Sequence, residues 1–243
     1  MEEKKRQAMY QVSTLQALVR GDYYGSANMA TLLAHGDTGL GTFCAVAGEL
    51  IVVDGKCYQV LGDGTAVEAK KTDTTPFATV TPLQQTKPLS FGPQPTIEAL
   101  RQVLNKEIDR LGVNDIYAVR IDGHFNRVAA RTELAQQEPY KPFAKVLETD
   151  ERRFTFENLD GTLIGVYFPA YLNGVNTPGW HAHFISKDRT KGGHVFDLDL
   201  EKGQAVINKI DRFLLDMPHN KAFEQGDLSQ ASGQEIAQIE QGK

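Results

Sequence analysis

The sequence predicts an α/β chain of the α+β kind, built mainly on antiparallel β-sheet with a few flanking helices. Asp-Gly pairs stand between apolar runs at 54–55, 122–123 and 160–161. A type I′ hairpin turn needs positive φ at both central residues, and Asp-Gly is among the pairs that tolerate it best. Helical periodicity is sustained over one long stretch only, after Thr96. The chain has 243 residues, 41% of them hydrophobic and 23% charged. That usage is ordinary for a globular protein. At about 150 residues per domain, the length suits one large domain or two small ones. The apolar content is high enough to offset the ordering entropy that keeps polar chains disordered.

The elements follow in order. Ser13 to Arg20 and Met29 to His35 have the pattern of short helices, each closed by a glycine, Gly21 and Gly36. Leu50 to Val53 runs into Asp54-Gly55 and out through Lys56 to Leu61, a strand–turn–strand signal. The same reading predicts hairpins with Ile116–Ile121 and Phe125–Ala130 around Asp122-Gly123. A third would join Phe154–Phe156 and Leu163–Phe168 around Asp160-Gly161. Thr96 is a fit N-cap for a helix with Leu100, Val103, Leu104, Ile108 and Leu111 on one face, ending at Gly112. Thr81 to Pro95 carries Pro82, Pro88, Pro93 and Pro95 and reads as a connection, as does Gln136 to Pro142. These breaks suggest a first sheet domain over residues 1–145 and a second over 146–243. The tail from Asp227 is polar, with an amphipathic patch at Ile236 and Ile239 that suits a docked helix or a frayed end.

The formal net charge of −5 gives no basic footprint for nucleic acid and no polybasic membrane patch. No apolar run reaches the roughly 18 residues that span a bilayer. Gln7, Gln11, Ser13 and Thr14 interrupt the apolar core that a signal peptide would need, so a cytoplasmic protein is expected. Cys44 and Cys57 flank a predicted hairpin and could approach, but in that compartment free buried thiols are expected.

The chemistry concentrates in Trp180-His181-Ala182-His183-Phe184 and in Gly192-Gly193-His194. Alternation along a strand puts His181 and His183 on one face. The polar, Gly-rich Ser186–Gly193 stretch suits a hairpin loop, which would bring His194 beside them. His194 would share its face with Phe196 and Leu198. Three neutral imidazoles facing one point suit Zn²⁺ or another borderline divalent metal, with an open position for catalysis. His35, His124 and His219 show no such pattern and read as structural or surface residues. Glu49 shares a strand face with Ile51 and Val53. A carboxylate there is either a metal ligand or acid–base group, or an edge position open to water. Arg131 closes a strand, where a surface arginine needs no special role; an anionic substrate would make it a carboxylate partner.

Taken together, these motifs resemble those of bacterial α-acetolactate decarboxylase. The matching stretches are Leu33-Ala34-His35-Gly36-Asp37, Gly39-Leu40-Gly41-Thr42-Phe43, Gly48-Glu49-Leu50-Ile51, Thr75-Pro76-Phe77-Ala78, Ala118 to Phe125, Ala130-Arg131-Thr132, His181-Ala182-His183-Phe184 and Gly192-Gly193-His194. They fall in family order along nearly the whole chain. The resemblance implies two α/β domains with mixed sheets, a homodimer, and zinc held by His181, His183 and His194. It implies that Glu49 and a glutamate near the C-terminus complete the site, Glu240 fitting better than Glu235. It places Arg131 and Thr42 at the substrate.

The reaction implied is loss of CO2 from 2-acetolactate, a small 2-hydroxy-3-keto acid, to give acetoin on the route to butanediol. The carbanion left at C2 can pass into the ketone as an enediolate, and a chelated metal would stabilise that charge. No motif for thiamine or pyridoxal phosphate is present, so no organic cofactor is expected. Arg131 would hold the carboxylate, and Glu49, Glu240 or Arg131 would deliver the final proton. The rival readings are a cupin-like metal oxygenase or isomerase, a non-catalytic metal-binding protein and a metal hydrolase.

Overall fold

The computed structural model describes residues 6–228. The chain opens with β1 (Ala8–Val12), α1 (Leu15–Val19), β2 (Ala27–Asn28) and α2 (Met29–His35). Thr14 caps α1 by accepting from Ala17 N, and Asn28 caps α2 by accepting from Thr31 N. Next come β3 (Thr38–Thr42), β4 (Glu49–Val53), β5 (Lys56–Val60), β6 (Ala66–Glu68), β7 (Thr74–Thr75) and β8 (Phe77–Thr81). At the β4–β5 turn Asp54 and Gly55 have φ of 52° and 72°, the geometry their sequence predicted.

The second half begins with β9 (Leu89–Phe91), a short strand inside the proline-rich stretch expected to be plain connection. Then come α3 (Ile97–Leu111), β10 (Ile116–Glu133), α4 (Phe143–Asp150), β11 (Glu151–Phe168), β12 (Gly179–Ser186), β13 (Gly192–Ile210), β14 (Arg212–Asp216) and α5 (Lys221–Gln225). Thr96 caps α3 as predicted, accepting from Ala99 N. No helix among the described residues is long and apolar enough to cross a membrane. Both cysteines are free, Cys57 in the core and Cys44 half-buried, and burial pushes the Cys57 thiol up to about 12.

Two sheets carry the fold. The first has strand order β14-β1-β8-β3-β4-β5-β6 and is antiparallel except for β1 with β14, which run parallel. The second has order β10-β11-β12-β13-β9, and β10 also pairs with β13, so it curls round and closes on itself. Its inner face is the largest apolar cluster, with Phe125, Val128, Leu163, Phe184 and Leu198, covered by Leu100 and Leu104 of α3. The first sheet packs Leu50 and Val52 against Met29 and Leu32 of α2. Its other face packs Ile51 and Val53 against Ile164 and Ile185 of the second sheet. Fully burying one such side chain is worth about 1.5–3 kcal/mol.

Two of the predicted hairpins are absent. Asp122-Gly123 lies within β10 and Asp160-Gly161 within β11, both unbroken strands. Gly123 pairs with Gly161 on one side and with Gly203 on the other. These glycines mark close approach and not a turn. A Cβ on Gly161 would lie 2.2 Å from Phe184 Cζ, and one on Gly123 would lie 2.5 Å from the Lys202 carbonyl oxygen. The sheets also do not part at residue 145. β10, before that point, pairs along its length with β11, after it, and β14 returns to the first sheet.

Candidate active site

The site lies where the first sheet faces the outer side of the second. Along β12, Ala182 and Phe184 point into the second sheet's core. His181 and His183 therefore face the first sheet. The loop after β12 is closed by Ser186, whose backbone N donates to Lys191 O at 2.8 Å and whose Oγ accepts from Lys191 N at 3.0 Å. That closure sets His183 opposite His194 in register. Gly193, with φ of 153°, lets the chain pass beneath the Arg131 carbonyl, 2.8 Å from where a Cβ would sit.

The three ring nitrogens converge as predicted. His181 Nε2 lies 3.1 Å from His183 Nε2 and 3.0 Å from His194 Nδ1, and all three residues are buried. Burial pushes the His181 imidazole down to about 3, helped by Arg131 and Arg101. Burial also holds His183 well below its ordinary value, helped by His181. His183 Nδ1 lies 3.0 Å from the Leu50 carbonyl, which can only accept, so Nδ1 carries the proton and Nε2 presents its lone pair. That lone pair faces Glu49 Oε2 at 3.4 Å. Two acceptors facing each other in a buried site repel, and either a proton on the carboxyl or a cation between them relieves that repulsion. Nitrogen and carboxylate donors of this kind suit a borderline divalent ion, so the three histidines could hold a metal.

Glu49 is buried, and the alternative of an edge position open to water falls away. Its backbone N donates to Thr132 Oγ1 at 3.2 Å, and Thr132 Oγ1 donates to Val60 O at 3.1 Å. Thr42 sits opposite Glu49 in the β3–β4 pair and donates from Oγ1 to Gly48 O at 2.9 Å. Arg131 is not a surface residue; it is 2% exposed. Its Nη1 lies 2.9 Å from Glu151 Oε2, and its Nε lies 4.0 Å from Glu133 Oε1. A buried guanidinium needs such counter-charges.

Two bulges aim these groups. Ile121 and Phe125 of β10 face the core, and so do Val128 and Ala130, three and five residues after Phe125. The register shift around Asn126 makes that change of parity and turns Arg131 outward to the site. On β13 a shift at Phe196 does the same. His194 consequently does not share a face with Leu198; Val195 and Leu198 share the core face instead.

Thr42, Glu49, Arg131, Glu133, His181 and His194 line one small cavity of about 30 Å³, together with Leu15, Leu18, Phe77 and Phe143. The sequence reading missed Glu133 and the apolar residues. Glu133 was reachable, since it stands two places from Arg131 on the same strand face. Glu240 and Glu235 lie outside the described residues. His35 stacks on Tyr10, His124 bonds Asp160 and Asn158, and His219 is exposed, so none joins the cluster. A wider concavity, about 710 Å³, lies elsewhere, over Gly123, Gly161 and Gly203. Its arginines are already engaged, Arg120 by Asp54 and Asp122 and Arg189 by Asp54.

Known proteins match this chain along its length. The sequence matches the profile of the alpha-acetolactate decarboxylase family over residues 9–230. The alpha-acetolactate decarboxylase of Methanosarcina mazei is 38% identical over 232 residues, 96% of this chain and 80% of its own length. That of Bacillus subtilis strain 168 is 38% identical over 226 residues, 90% of this chain and 85% of its own. A crystal structure of the Bacillus subtilis strain 168 protein aligns with a TM-score of 0.92 at 34% identity, covering 97% of this chain and 100% of that one. A Staphylococcus aureus protein of unknown function, described as similar to alpha-acetolactate decarboxylase, aligns with a TM-score of 0.87 at 27% identity. With profile, sequence and fold in agreement, the chain belongs to the alpha-acetolactate decarboxylase family, a family of carboxy-lyases.

Proposed function

We propose that this cavity decarboxylates 2-acetolactate to acetoin and CO2, with a divalent metal ion, zinc foremost, held by His181, His183, His194 and Glu49. The observation that carries the metal reading is the convergence of three buried imidazoles, with His181 Nε2 3.1 Å from His183 Nε2 and 3.0 Å from His194 Nδ1 and Glu49 Oε2 beside them, 3.4 Å from His183 Nε2. A bound divalent ion supplies Lewis-acid stabilisation for the negative charge left at C2 when CO2 departs.

The rest falls to the chain's own side chains. Arg131 takes the substrate carboxylate, and Glu151 fixes the guanidinium plane from the far side. Thr42, whose proton is engaged by the Gly48 carbonyl, offers its hydroxyl oxygen as an acceptor to the substrate. Glu49, which lines the cavity beside the imidazoles, relays to C2 the proton that solvent supplies once CO2 has left, through the carboxylate oxygen that does not face His183. The near-complete burial of Arg131 and the histidines keeps water from competing for these contacts.

The test is acetoin and CO2 release from racemic 2-acetolactate before chelation, after chelation and after added Zn²⁺. Stoichiometric products that vanish with the metal and return with it support the reading. Metal-loaded protein that releases neither product overturns it. Undiminished turnover in fully chelated protein overturns the metal's part alone. Arg131→Lys should keep its metal and its fold but lose roughly 100-fold in kcat/KM, since lysine lacks the planar fork.

A further inference from the structure

A second cavity, of about 480 Å³, lies between α3 and the turn before β12. Arg101, on α3, and Thr177, in that turn, both line it. The Arg101 Nε is buried and has no hydrogen-bond partner. Its guanidinium makes one long contact, from Nη2 to the Trp180 carbonyl oxygen at 3.5 Å, and closes no ion pair among the described residues. Burial holds this guanidinium below its ordinary value, against the pull of Glu98 and Asp197. Thr177 is 5% exposed, and its Oγ1 is equally unpartnered, although its backbone N donates to Asn176 Oδ1 at 2.7 Å. Buried polar groups in a folded chain are nearly always satisfied. Two orphaned donors from separate elements, lining one cavity, therefore point to an acceptor that both can reach.

We infer that this cavity binds a small monocarboxylate, its carboxylate taken by the Arg101 guanidinium and the Thr177 hydroxyl. Both groups donate, and a carboxylate only accepts. A guanidinium and a carboxylate also match as planar partners. The remaining walls suit an apolar body. Tyr167 of β11 and Trp180 of β12 are register partners with ring centroids 5.4 Å apart, and Ile108 and Val113 join them. Trp180 Nε1 donates to Asn105 Oδ1 at 2.9 Å, which fixes the indole and leaves the Asn105 amide nitrogen as a further donor. Glu98 and Asp109 also line the cavity, so a doubly charged phosphate is disfavoured against a single carboxylate. Apolar walls with a few convergent polar groups are the usual make-up of a small-molecule site. The cavity shares no lining residue with the one beside the histidines, so this site stands or falls apart from the reaction proposed above.

Trp180 is the sole tryptophan of the chain, so its fluorescence and its indole N–H resonance report on this cavity directly. The full-length protein is titrated with butanoate, with butan-1-ol and with inorganic phosphate. Butanoate should give a saturable response at millimolar concentration, and neither of the others should match it. Arg101→Gln should weaken butanoate binding at least about 10-fold, the worth of a hydrogen bond to a charged group. Thr177→Val keeps the shape, removes the hydroxyl and should weaken binding about 3- to 10-fold. It also keeps the test alive if Arg101→Gln does not fold, and Tm is read for each variant. Arg110→Gln, on the exposed end of α3, and Arg131→Lys, in the other cavity, should leave binding unchanged. A response unchanged in both Arg101→Gln and Thr177→Val overturns the inference. So does a response lost in Arg131→Lys, which would place the carboxylate beside the histidines. An equal response to butan-1-ol marks a cleft that is only apolar, and a stronger one to phosphate marks the wrong anion; either overturns the inference. No saturable response shows a cleft that only water fills, and overturns it too.

Discussion

β12 has two faces that do opposite jobs within four residues. Ala182 and Phe184 point into the core of the second sheet, where Phe184 packs edge-on against Phe125 at 5.0 Å. His181 and His183 point the other way, towards Glu49 and the first sheet. One side is apolar and close-packed; the other gathers buried groups that would be costly without a partner. Strand alternation alone keeps stability and chemistry apart here, so each face should be breakable without the other.

The largest expected effect comes from the outer face. His183→Ala should lose metal and more than about 100-fold in activity, since outer-shell partners of a metal alone are worth 10–100-fold. Its Tm in the metal-free form should stay near that of the metal-free wild type. Unfolding of this variant would show that the histidine face also holds the fold together. The inner-face counterpart is Phe184→Ala, which should cost about 3–5 kcal/mol. For a chain of this size that is a Tm drop of roughly 6–20 °C, followed by circular dichroism. The surviving folded fraction should keep its metal.

A second contrast, between two Asp-Gly pairs, predicts smaller effects. Gly161→Ala drives a Cβ to 2.2 Å from Phe184 Cζ and 2.8 Å from the Ile185 carbonyl oxygen. Overpacking of that kind costs about 1–3 kcal/mol. Gly55→Ala meets no atom within 4 Å and suffers only from its φ of 72°, a cost of about 1 kcal/mol. Denaturant midpoints compare the two directly. A larger loss at Gly55 would contradict the reading of Gly161 as a point of close approach.

The smallest effect sits on the surface. His124 is raised above its ordinary value, chiefly by its hydrogen bond to Asp160. A raised folded-state value stabilises the fold below the unfolded value near 6.5, and that contribution is lost as pH rises through the raised value. Both groups are solvent-accessible, so the gain is slight. Asp160→Asn should lower the His124 midpoint in an NMR titration and leave turnover unchanged. An unmoved midpoint would remove Asp160 as the cause.

What could be read from the sequence was local. The pairing of His181 with His183 follows from alternation within one strand. The approach of His194 follows from one polar loop. Glu49 stood out because a carboxylate on the face of Ile51 and Val53 needs a reason. The Thr96 cap and the turn at Asp54-Gly55 are equally short-range. The misread features depend on distant partners. Asp122-Gly123 and Asp160-Gly161 carry the same local signal as Asp54-Gly55, yet pairing with each other and with Gly203 holds both in unbroken strands.

Arg131 shows the limit most clearly. Counted from Phe125, unbroken alternation would send it into the apolar core; the bulge around Asn126 sends it to the site instead. The apolar residues lining the cavity have no sequence signature, because two come from α1 and one each from β8 and α4, segments that only the tertiary fold brings together. The sequence by itself determined the histidine cluster and the sheet-rich class, since both rest on neighbours a few residues apart. Tertiary structure alone decided which face Arg131 takes and how large the cavity is, since both depend on register and packing between segments that local preferences do not reach.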